Sequence, residues 1–384
     1  MARTEAKQKP AGKRAGSTES VRTAGGILPS QAIRALVGRG EVTVARPLGA
    51  KQVQPASLDL RLGEVAYRVR ASFLPGPGID VAERLDDLKL HKFDLTQGAV
   101  LETGCVYVVP LLEGLALPAD IAAAANPKSS TGRLDVFTRV IADGVAAFDT
   151  VPAGYKGRLY AEICPQTFPI VVRTGSTLSQ IRFRRGQPTI SDAELMALHE
   201  AQRLVSGGTA SADVANGIAL SVDLVGDTQG LVGYRGKRHT GLVDVDAPGS
   251  CALADYWEPI HVRDKRRLIL DPDQFYILAS KEAVHVPPTH AAEMVPFDPL
   301  VGEFRVHYAG FMDTGFGHEP AGGSGARVVL EVRSHKVPFV LEDGQVIGRL
   351  IYERMEQVPD KLYGRDLGSN YQAQGLKLSK HFRA

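Results

Sequence analysis

The chain is poor in the residues that build disulfide scaffolds and membrane spans. Its 384 residues include three cysteines, Cys105, Cys164 and Cys251, and none of them forms a CxxC pair, which excludes a disulfide-stapled fold. No apolar run approaches the length of a membrane span, and the N-terminus lacks the apolar core of a signal peptide. We therefore expect a reduced, cytoplasmic protein that makes no contact with a membrane.

The chain also has little net charge. The formal net charge is +2, from 45 basic and 43 acidic side chains. Residues 1–26 hold six of the basic residues and two of the acidic ones, so the remaining body is slightly acidic. This polar, Gly/Ser/Lys-rich segment lacks periodicity and is predicted to be a disordered basic tail. Because the pI of about 8.3 comes from that tail, no nucleic-acid surface is expected.

What the chain has in quantity is turn-forming residues, with 40 Gly and 23 Pro between short alternating apolar runs. This pattern favours a mainly β architecture, with strands expected at 57–63, 105–111, 157–163 and 179–183. A short helix is expected to be capped by Ser30 and to end at Gly38. A second helix is expected at 191–205, where Ser191 and Glu194 form a capping box.

An internal repeat organises these strands. Four features recur at a constant offset of 169 residues: Tyr107 and Tyr276, Pro118 and Pro287, Glu162 and Glu331, and Gly175 and Gly344. The segment Ser57–Gly63 also recurs as Ser221–Gly226, at an offset of 164. A tandem duplication of one β-domain accounts for this register. The predicted organisation is a tail (1–26), a first β-domain (27–190), a helix and linker (191–215) and a second β-domain (216–384).

The two copies differ where chemistry is expected. In the first copy, the turn Asn126–Arg133 contains Lys128, Ser129, Ser130 and Arg133, a composition that suits a polyphosphate. An ordinary hydrophilic turn would have the same composition. The second copy reads 297–302 at this place and lacks the Lys, both Ser and the Arg, so we expect no phosphate site there.

The second copy has a different special segment, Tyr308–Gly317. Its glycines, Gly310, Gly315 and Gly317, are typical of a tight β-hairpin. An aromatic residue and Asp313 near its tip would hold a base edge and stack beneath a sugar. A plain glycine-rich hairpin is the alternative interpretation.

Together these segments resemble one known family. KSSTGR, AGFMDTGFG, a strand ending in Glu (VVLEV), GQVIGRL, and the tail Tyr363…Tyr371-Gln-Ala-Gln374 are similar to the dCTP deaminase branch of the trimeric dUTPase-like superfamily. The opening PSQAIRALVGRGEV with QPASLDLRLG resembles it too, and the resemblance covers residues 27–384, once per half. It implies two tandem dUTPase-like distorted β-barrels, jelly-roll-like, with a few short helices.

The resemblance also implies roles for individual residues. Glu331 matches the catalytic glutamate, and Ser129 and Arg133 match the residues that position the water. Lys128 and Ser130 flank the phosphate site, although Lys128 stands where better-known bacterial enzymes have Arg, and Asn370 where some relatives have Lys. The remaining substrate-binding matches are Ala309, Gly310, Phe311, Asp313, Phe316, Tyr363, Tyr371 and Gln374.

The implied reaction is zinc-independent hydrolysis of dCTP to dUTP and ammonia, with Mg²⁺ carried by the triphosphate. The chain lacks the H-x-E and P-C-x-x-C motifs of zinc deaminases. In the homotrimeric family the phosphate turn and the catalytic Glu come from neighbouring subunits. We therefore predict one composite site between the first and second halves, with Glu162 left as a relic or a structural acid.

Other functions stay open at this point. A dUTPase, or a deaminase that also cleaves the triphosphate, would suit Asp313 as a water-activating group. A nucleotide-binding regulatory protein without activity is the third interpretation. dCTP is the expected substrate, dTTP is expected as an inhibitor as in relatives, and a homo-oligomer is expected because two β-copies do not close a pseudo-trimer.

Overall fold

The computed structural model describes residues 25–207, 213–262, 266–296, 304–307, 310–334, 336–364 and 371–383. Its elements are mainly β-strands, as the composition predicts. The first half contains β1 (Gly26–Ile27), α1 (Ser30–Gly38), β2 (Val42–Val44), β3 (Leu58–Arg61), β4 (Val65–Val69), α2 (Val81–Leu88), β5 (Lys89–Asp94), β6 (Ala99–Leu101), β7 (Val106–Ala116), β8 (Ile121–Pro127), α3 (Ser129–Gly132), β9 (Val136–Ala142), β10 (Thr150–Val151), β11 (Lys156–Pro165), β12 (Ile170–Val172) and β13 (Thr177–Arg185).

The second half follows with α4 (Asp192–Gln202), β14 (Val205–Ser206), β15 (Ile218–Ser221), β16 (Leu231–Gly236), β17 (Val243–Asp244), β18 (Cys251–Ala252), α5 (Leu253–Tyr256), β19 (Trp257–His261), β20 (Arg267–Leu270), β21 (Phe275–Val284), β22 (His290–Pro296), β23 (Phe304–His307), β24 (Phe311–Met312), a 3₁₀ turn (Glu319–Ala321), β25 (Ala326–Ser334), β26 (Phe339–Glu342), β27 (Val346–Arg354) and β28 (Phe382–Arg383).

Each half is built on two main antiparallel sheets. In the first half these are β1-β13-β8-β10, with β3 also on β13, and β5-β4-β7-β11-β9, with β2 on β7. In the second half they are β15-β27-β22-β24 and β19-β16-β21-β25-β23, with β14 on β21. The predicted mainly β fold is therefore confirmed, and its sheets recur in the same order in both halves.

The offset of 169 residues is confirmed in the central strands. Tyr107 Oη accepts a hydrogen bond from the backbone N of Glu102 at 3.1 Å, and Tyr276 Oη accepts one from Asp271 N at 2.9 Å. Glu162 pairs with Val108 across β11 and β7, while Glu331 pairs with Ile277 across β25 and β21. Both pairs of contacts have the same spacing, so the two glutamates are structural equivalents.

The predicted equivalence of Ser57 and Ser221, at an offset of 164 residues, is wrong. Glu113 accepts a hydrogen bond from Arg61 N at 2.7 Å, and its counterpart Glu282 accepts one from Ser221 N at 2.8 Å. Ser221 is thus the equivalent of Arg61. The two S-x-D-L motifs look alike but lie four residues apart along equivalent strands.

The predicted helices are both present, with one difference at a cap. Helix α4 has the capping box of Ser191 and Glu194 that its sequence predicts. Helix α1 ends near Gly38 as expected, but Pro29 is its N-cap and Ser30 is its first helical residue. The Ser30 hydroxyl bonds the Asp360 carboxylate instead of capping the helix.

One large apolar cluster contains residues of both halves. Phe168 and Ile170 of the first half pack in the same buried cluster as Trp257, Phe275 and Ile277 of the second half. An arm formed by residues 237–256 extends from the second half over the first. Within this arm β17 pairs in parallel with β12, and β18 pairs in parallel with the C-terminal strand β28. The arm therefore connects both halves with the end of the chain.

Candidate active site

The turn Asn126–Arg133, which we call the phosphate turn, lies where strand β8 ends. Lys128 N donates a hydrogen bond to Leu178 O of the neighbouring strand at 2.9 Å, and the single helical turn α3 follows at once. After Arg133 the chain enters β9, with Asp135 in a left-handed conformation (φ 56°) between them. Because both flanking strands are hydrogen-bonded into sheets, the turn is held on a rigid support.

The segment around Asp313 differs from the predicted hairpin. Strand β23 pairs with β25 in one sheet, whereas β24 pairs with β22 in the other. The chain thus crosses between sheets instead of folding back on itself, which a glycine-rich sequence alone does not distinguish from a hairpin. Gly315 (φ 93°) and Gly317 (φ 67°) do have the predicted left-handed conformation. We call residues 310–317 the nucleoside segment.

The phosphate turn and the nucleoside segment meet in one cavity of about 590 Å³ within a single chain. Its walls come from both halves and from the C-terminal tail. Among the predicted site residues, it is lined by Lys128, Ser129, Ser130, Arg133, Gly310, Phe311, Asp313, Phe316, Glu331, Tyr363, Tyr371 and Gln374. Ala309 lies outside the described residues.

Glu331 is the buried acid of this cavity. The residue is 5% exposed and lies in the middle of β25. Burial raises its pKa from 4.5 to about 8, against the opposing effect of the Arg133 guanidinium, whose Nε lies 3.9 Å from Oε1. A carboxyl with such a pKa holds its proton at neutral pH and can release it to a bound group.

Arg133 is held by the C-terminal tail. Its Nη1 donates hydrogen bonds to Gln374 Oε1 at 3.0 Å and to the backbone O of Lys377 at 2.8 Å. The guanidinium lies over the ring of Tyr371 at 4.0 Å, a cation–π contact. Its Nε is buried without a hydrogen-bond acceptor in the described part of the chain. One donor of Arg133 therefore remains available toward Glu331 and a ligand.

Asp313 is held by Arg182 on β13, a residue that sequence reasoning missed. The Arg182 guanidinium lies 3.5 Å from Asp313 Oδ1 and 3.2 Å from Glu353 Oε2, and 4.1 Å from the Phe311 ring centroid. Burial raises the pKa of Asp313 to about 6, and Arg182 opposes this shift. The repeat contained a usable signal, because the offset of 169 places Ile351 opposite Arg182.

Asp59 is a second functional candidate that the sequence analysis did not single out. Its carboxylate bonds the Lys128 ammonium, which also donates to Thr177 Oγ1 at 3.1 Å. Burial raises the pKa of Asp59, while Lys128 and then Lys380 oppose this shift. The S-x-D-L motif includes Asp59, but only the fold shows that it meets Lys128.

The C-terminal tail contributes Tyr363, Tyr371 and Gln374 to the wall of the cavity. Tyr363 N donates to Thr314 O at 2.9 Å, and its ring packs on Phe316 with centroids 5.8 Å apart. Gln374 Nε2 donates to Arg327 O at 3.0 Å.

Across the described ranges there is no group of three or more His, Cys, Asp or Glu placed to hold a metal ion. No helix in those ranges is both long and apolar enough to span a bilayer.

The equivalent place in the first half is filled by the chain itself. Glu162 is 1% exposed and accepts hydrogen bonds from Arg139 at 3.1 and 2.5 Å. The Arg139 guanidinium lies over the Phe148 ring at 3.5 Å. Strand pairing puts Val151 at the place of Met312, so Pro152 replaces Asp313. Glu162 is therefore neutralised by an internal partner, whereas Glu331 faces a cavity.

Comparison with known proteins gives two family matches, one for each half. Residues 24–187 match the family described as "2'-deoxycytidine 5'-triphosphate deaminase (DCD) N-terminal domain", and residues 191–382 match the corresponding C-terminal domain. The crystal structure of 2'-deoxycytidine 5'-triphosphate deaminase from Agrobacterium tumefaciens is similar, with 61% identity and a TM-score of 0.84, over 88% of this chain and 99% of that one.

Curated relatives align with only part of the chain. A protein of Beutenbergia cavernae named "dCTP deaminase, dUMP-forming" is 32% identical over 161 residues, which are 41% of this chain and 79% of the relative. A "dCTP deaminase" of Ignicoccus hospitalis is 26% identical over 46% of this chain and 93% of its own length. Each of these relatives is about half as long as this chain, in keeping with the internal repeat.

Proposed function

The chain belongs to the dCTP deaminase family, a family of hydrolases, and from this premise we propose that its cavity converts dCTP and water to dUTP and ammonia. One observation carries the proposal. A buried carboxyl with a pKa of about 8, Glu331, faces a cavity that also contains a cation-bearing turn suited to a triphosphate.

The protonation state of Glu331 fits the first step of the reaction. Protonated Glu331 gives its proton to N3 of the cytosine, which makes C4 more electrophilic. The carboxylate that results takes a proton from water as the C4–O bond forms and passes it to the amino group. As the C4–N bond breaks and ammonia leaves, the carboxylate takes the remaining proton of the C4 hydroxyl, so that the C4 carbonyl forms and Glu331 is protonated again. One carboxyl thus acts in turn as acid and base, which requires a pKa near the working pH.

The other residues have supporting roles in this proposal. Ser129 and Arg133 position the water, and the unbonded Nε of Arg133 supports this role. Lys128 and Ser130 bind the phosphate chain, while Phe311, Phe316, Gly310 and Asp313 hold the nucleoside. Tyr363, Tyr371 and Gln374 close the site over it. We extend the nucleoside role to Ala309 by its place in the motif.

Two matched variants test the proposal, because Glu162 and Glu331 occupy equivalent positions. Ammonia release from dCTP should fall by at least about a hundredfold in Glu331→Gln, as removal of a general acid–base group typically does. Glu162→Gln, assayed at a temperature where it is folded, should retain ammonia release. The reverse pattern would move the active site to the first half.

We infer dUTP as the released product. Asp313 would have to activate a water at phosphorus for dUMP to form, but its carboxylate lies 3.5 Å from the buried Arg182 guanidinium, which stacks on the Phe311 ring. Some relatives are named "dCTP deaminase, dUMP-forming" and others "dCTP deaminase", so chromatography of the products is the direct measurement. Accumulation of dUMP would favour the bifunctional alternative, and dCTP binding without ammonia release would favour a regulatory protein.

We also propose that Mg²⁺ reaches the site bound to the triphosphate, that dTTP inhibits, and that the protein acts in the cytoplasm as a homo-oligomer. The proposals on Mg²⁺ and dTTP follow from the family resemblance, the location from the scarcity of cysteine, and the oligomer from the two β-copies, which do not close a pseudo-trimer. Inhibition by dTTP is tested by adding it to the ammonia assay, and the oligomeric state by light scattering.

A further inference from the structure

Lys380, near the C-terminus, lies in the wall of the cavity. It follows the tail residues that hold Arg133, and its side chain is half-buried. No role was expected for it from the sequence, in which Asn370 stands where some relatives have a phosphate-binding lysine. Lys380 lies ten residues beyond that place.

The Lys380 ammonium has no bonded counterion among the described residues. Two carboxylates are close enough to affect its pKa, those of Asp59 and Asp246. Asp59 is bonded to Lys128, and Asp246 lies 3.1 Å from an Arg173 nitrogen. Both negative charges are thus shared with other cations, while burial and the nearby Lys128 lower the pKa of Lys380. A half-buried cation whose neighbouring carboxylates are bonded to other cations is suited to binding an anionic ligand.

The position of Lys380 is fixed by its neighbours on both sides. Ser379 Oγ donates to the backbone O of Ser130, in the phosphate turn, at 2.9 Å. Lys380 N donates to Tyr371 Oη at 3.2 Å. The buried His381 ring makes hydrogen bonds of 2.9 Å with Ser379 Oγ and with Val245 O of the arm. These bonds fix the backbone of Lys380 beside the phosphate turn, and we call residues 379–381 the C-terminal clamp.

The charges along the cavity fall into two groups. Arg133 shifts the pKa of Glu331, where the base reacts, whereas Lys128 and Lys380 shift that of Asp59. Lys128 and Lys380 both line the cavity, and Ser379, next to Lys380, is hydrogen-bonded to Ser130 of the phosphate turn. A phosphate chain bound at this turn would therefore lie near both lysines.

We propose that Lys380 binds the terminal part of the phosphate chain and makes the site selective for the triphosphate over the monophosphate. This inference rests on the proposed function, since it takes the base to lie at Glu331. It assigns to the C-terminal clamp the charge that Asn370 does not supply.

Lys380→Met tests the inference, with Lys380→Arg and Lys156→Met as comparisons. Lys156 is an exposed lysine on β11 outside the cavity. The affinities of dCTP, dCDP and dCMP are measured by calorimetry, and KM and kcat for dCTP are measured by ammonia release. A charge-assisted hydrogen bond corresponds to about a ten- to hundredfold change in affinity.

In Lys380→Met we expect dCTP binding to weaken at least about tenfold, with a matching rise in KM, while dCMP binding stays unchanged. Lys380→Arg should restore dCTP binding, and Lys156→Met should behave as the wild type. An equal loss for all three nucleotides would mean that Lys380 only holds the tail, and unchanged dCTP binding would also overturn the inference. If the wild type binds dCTP but releases no ammonia, the proposed function fails while this comparison of affinities still stands.

Discussion

Replacing Glu331 by glutamine should stabilise the protein at alkaline pH while abolishing its activity. The folded state raises the pKa of this carboxyl from 4.5 to about 8 by burial. Between these two values the folded protein keeps a proton that the unfolded chain releases. Stability contributed by the protonated group is therefore lost as the pH rises from 4.5 to about 8. Glutamine has a similar shape and no such titration.

The size of the effect follows from the same shift. Each pKa unit corresponds to about 1.4 kcal/mol, so the full range from the unfolded to the folded pKa amounts to about 5 kcal/mol. Between about pH 6 and pH 8 the wild type should lose about 2 kcal/mol relative to Glu331→Gln. The difference in free energy of unfolding should thus grow with pH, in favour of the variant.

Glu162→Gln is the matched control, and it should change the free energy of unfolding in the opposite direction. Glu162 lies at the equivalent point of β11, but its carboxylate is bonded to Arg139. Removing one partner of a buried ion pair leaves the other uncompensated, at a cost of about 3–5 kcal/mol. The same substitution at two equivalent positions should therefore destabilise one half and stabilise the other.

Urea denaturation at about pH 6 and about pH 8, followed by circular dichroism, measures both effects. The reasoning is refuted if Glu331→Gln is less stable than the wild type at the higher pH, or if its advantage does not change between the two pH values. Either result would mean that the Glu331 carboxyl is ionised in the folded protein, and that its role as the first proton donor is wrong.

Three further predictions concern the same cavity. Arg182→Ile, which introduces the residue of the second half, should lower the free energy of unfolding by about 3–5 kcal/mol by leaving Asp313 and Glu353 unpaired; urea titration measures this, and adding Asp313→Asn should recover part of the loss. Tyr371→Leu should raise KM for dCTP several-fold because Arg133 loses its stacking partner, and an unchanged KM in steady-state assays would contradict this role. The value of kcat/KM should decline above about pH 8, where Glu331 loses its proton, and a profile flat to about pH 9 would argue against Glu331 as the acid.

The repeat made much of the fold predictable. Tyr107 and Tyr276 kept the same register because each caps the same turn with its hydroxyl, so the sequence spacing reflects a conserved contact. The S-x-D-L motif failed as a marker because its few letters match by chance in strands whose true offset differs. Short motifs are reliable only where they agree with longer periodic features.

The residues that sequence reasoning missed share one property: each acts through a partner far away in the chain. Arg182 meets Asp313 across 131 residues, and Lys128 meets Asp59 across 69. Nothing in the local sequence around Arg182 marks it, since its neighbours are ordinary strand residues. The glycine-rich segment was misjudged for a related reason, because the choice between a hairpin and a crossing of sheets depends on which strand is free to pair.

Joining both walls of the cavity in one polypeptide also changes how the site responds to dilution. Where two subunits share a site, its occupancy falls as the protein concentration approaches the dissociation constant of the assembly. Here Arg133 and Glu331 belong to the same chain and a common buried core holds their halves together, so their encounter is intramolecular. The contact between these two residues forms during folding and does not depend on the protein concentration.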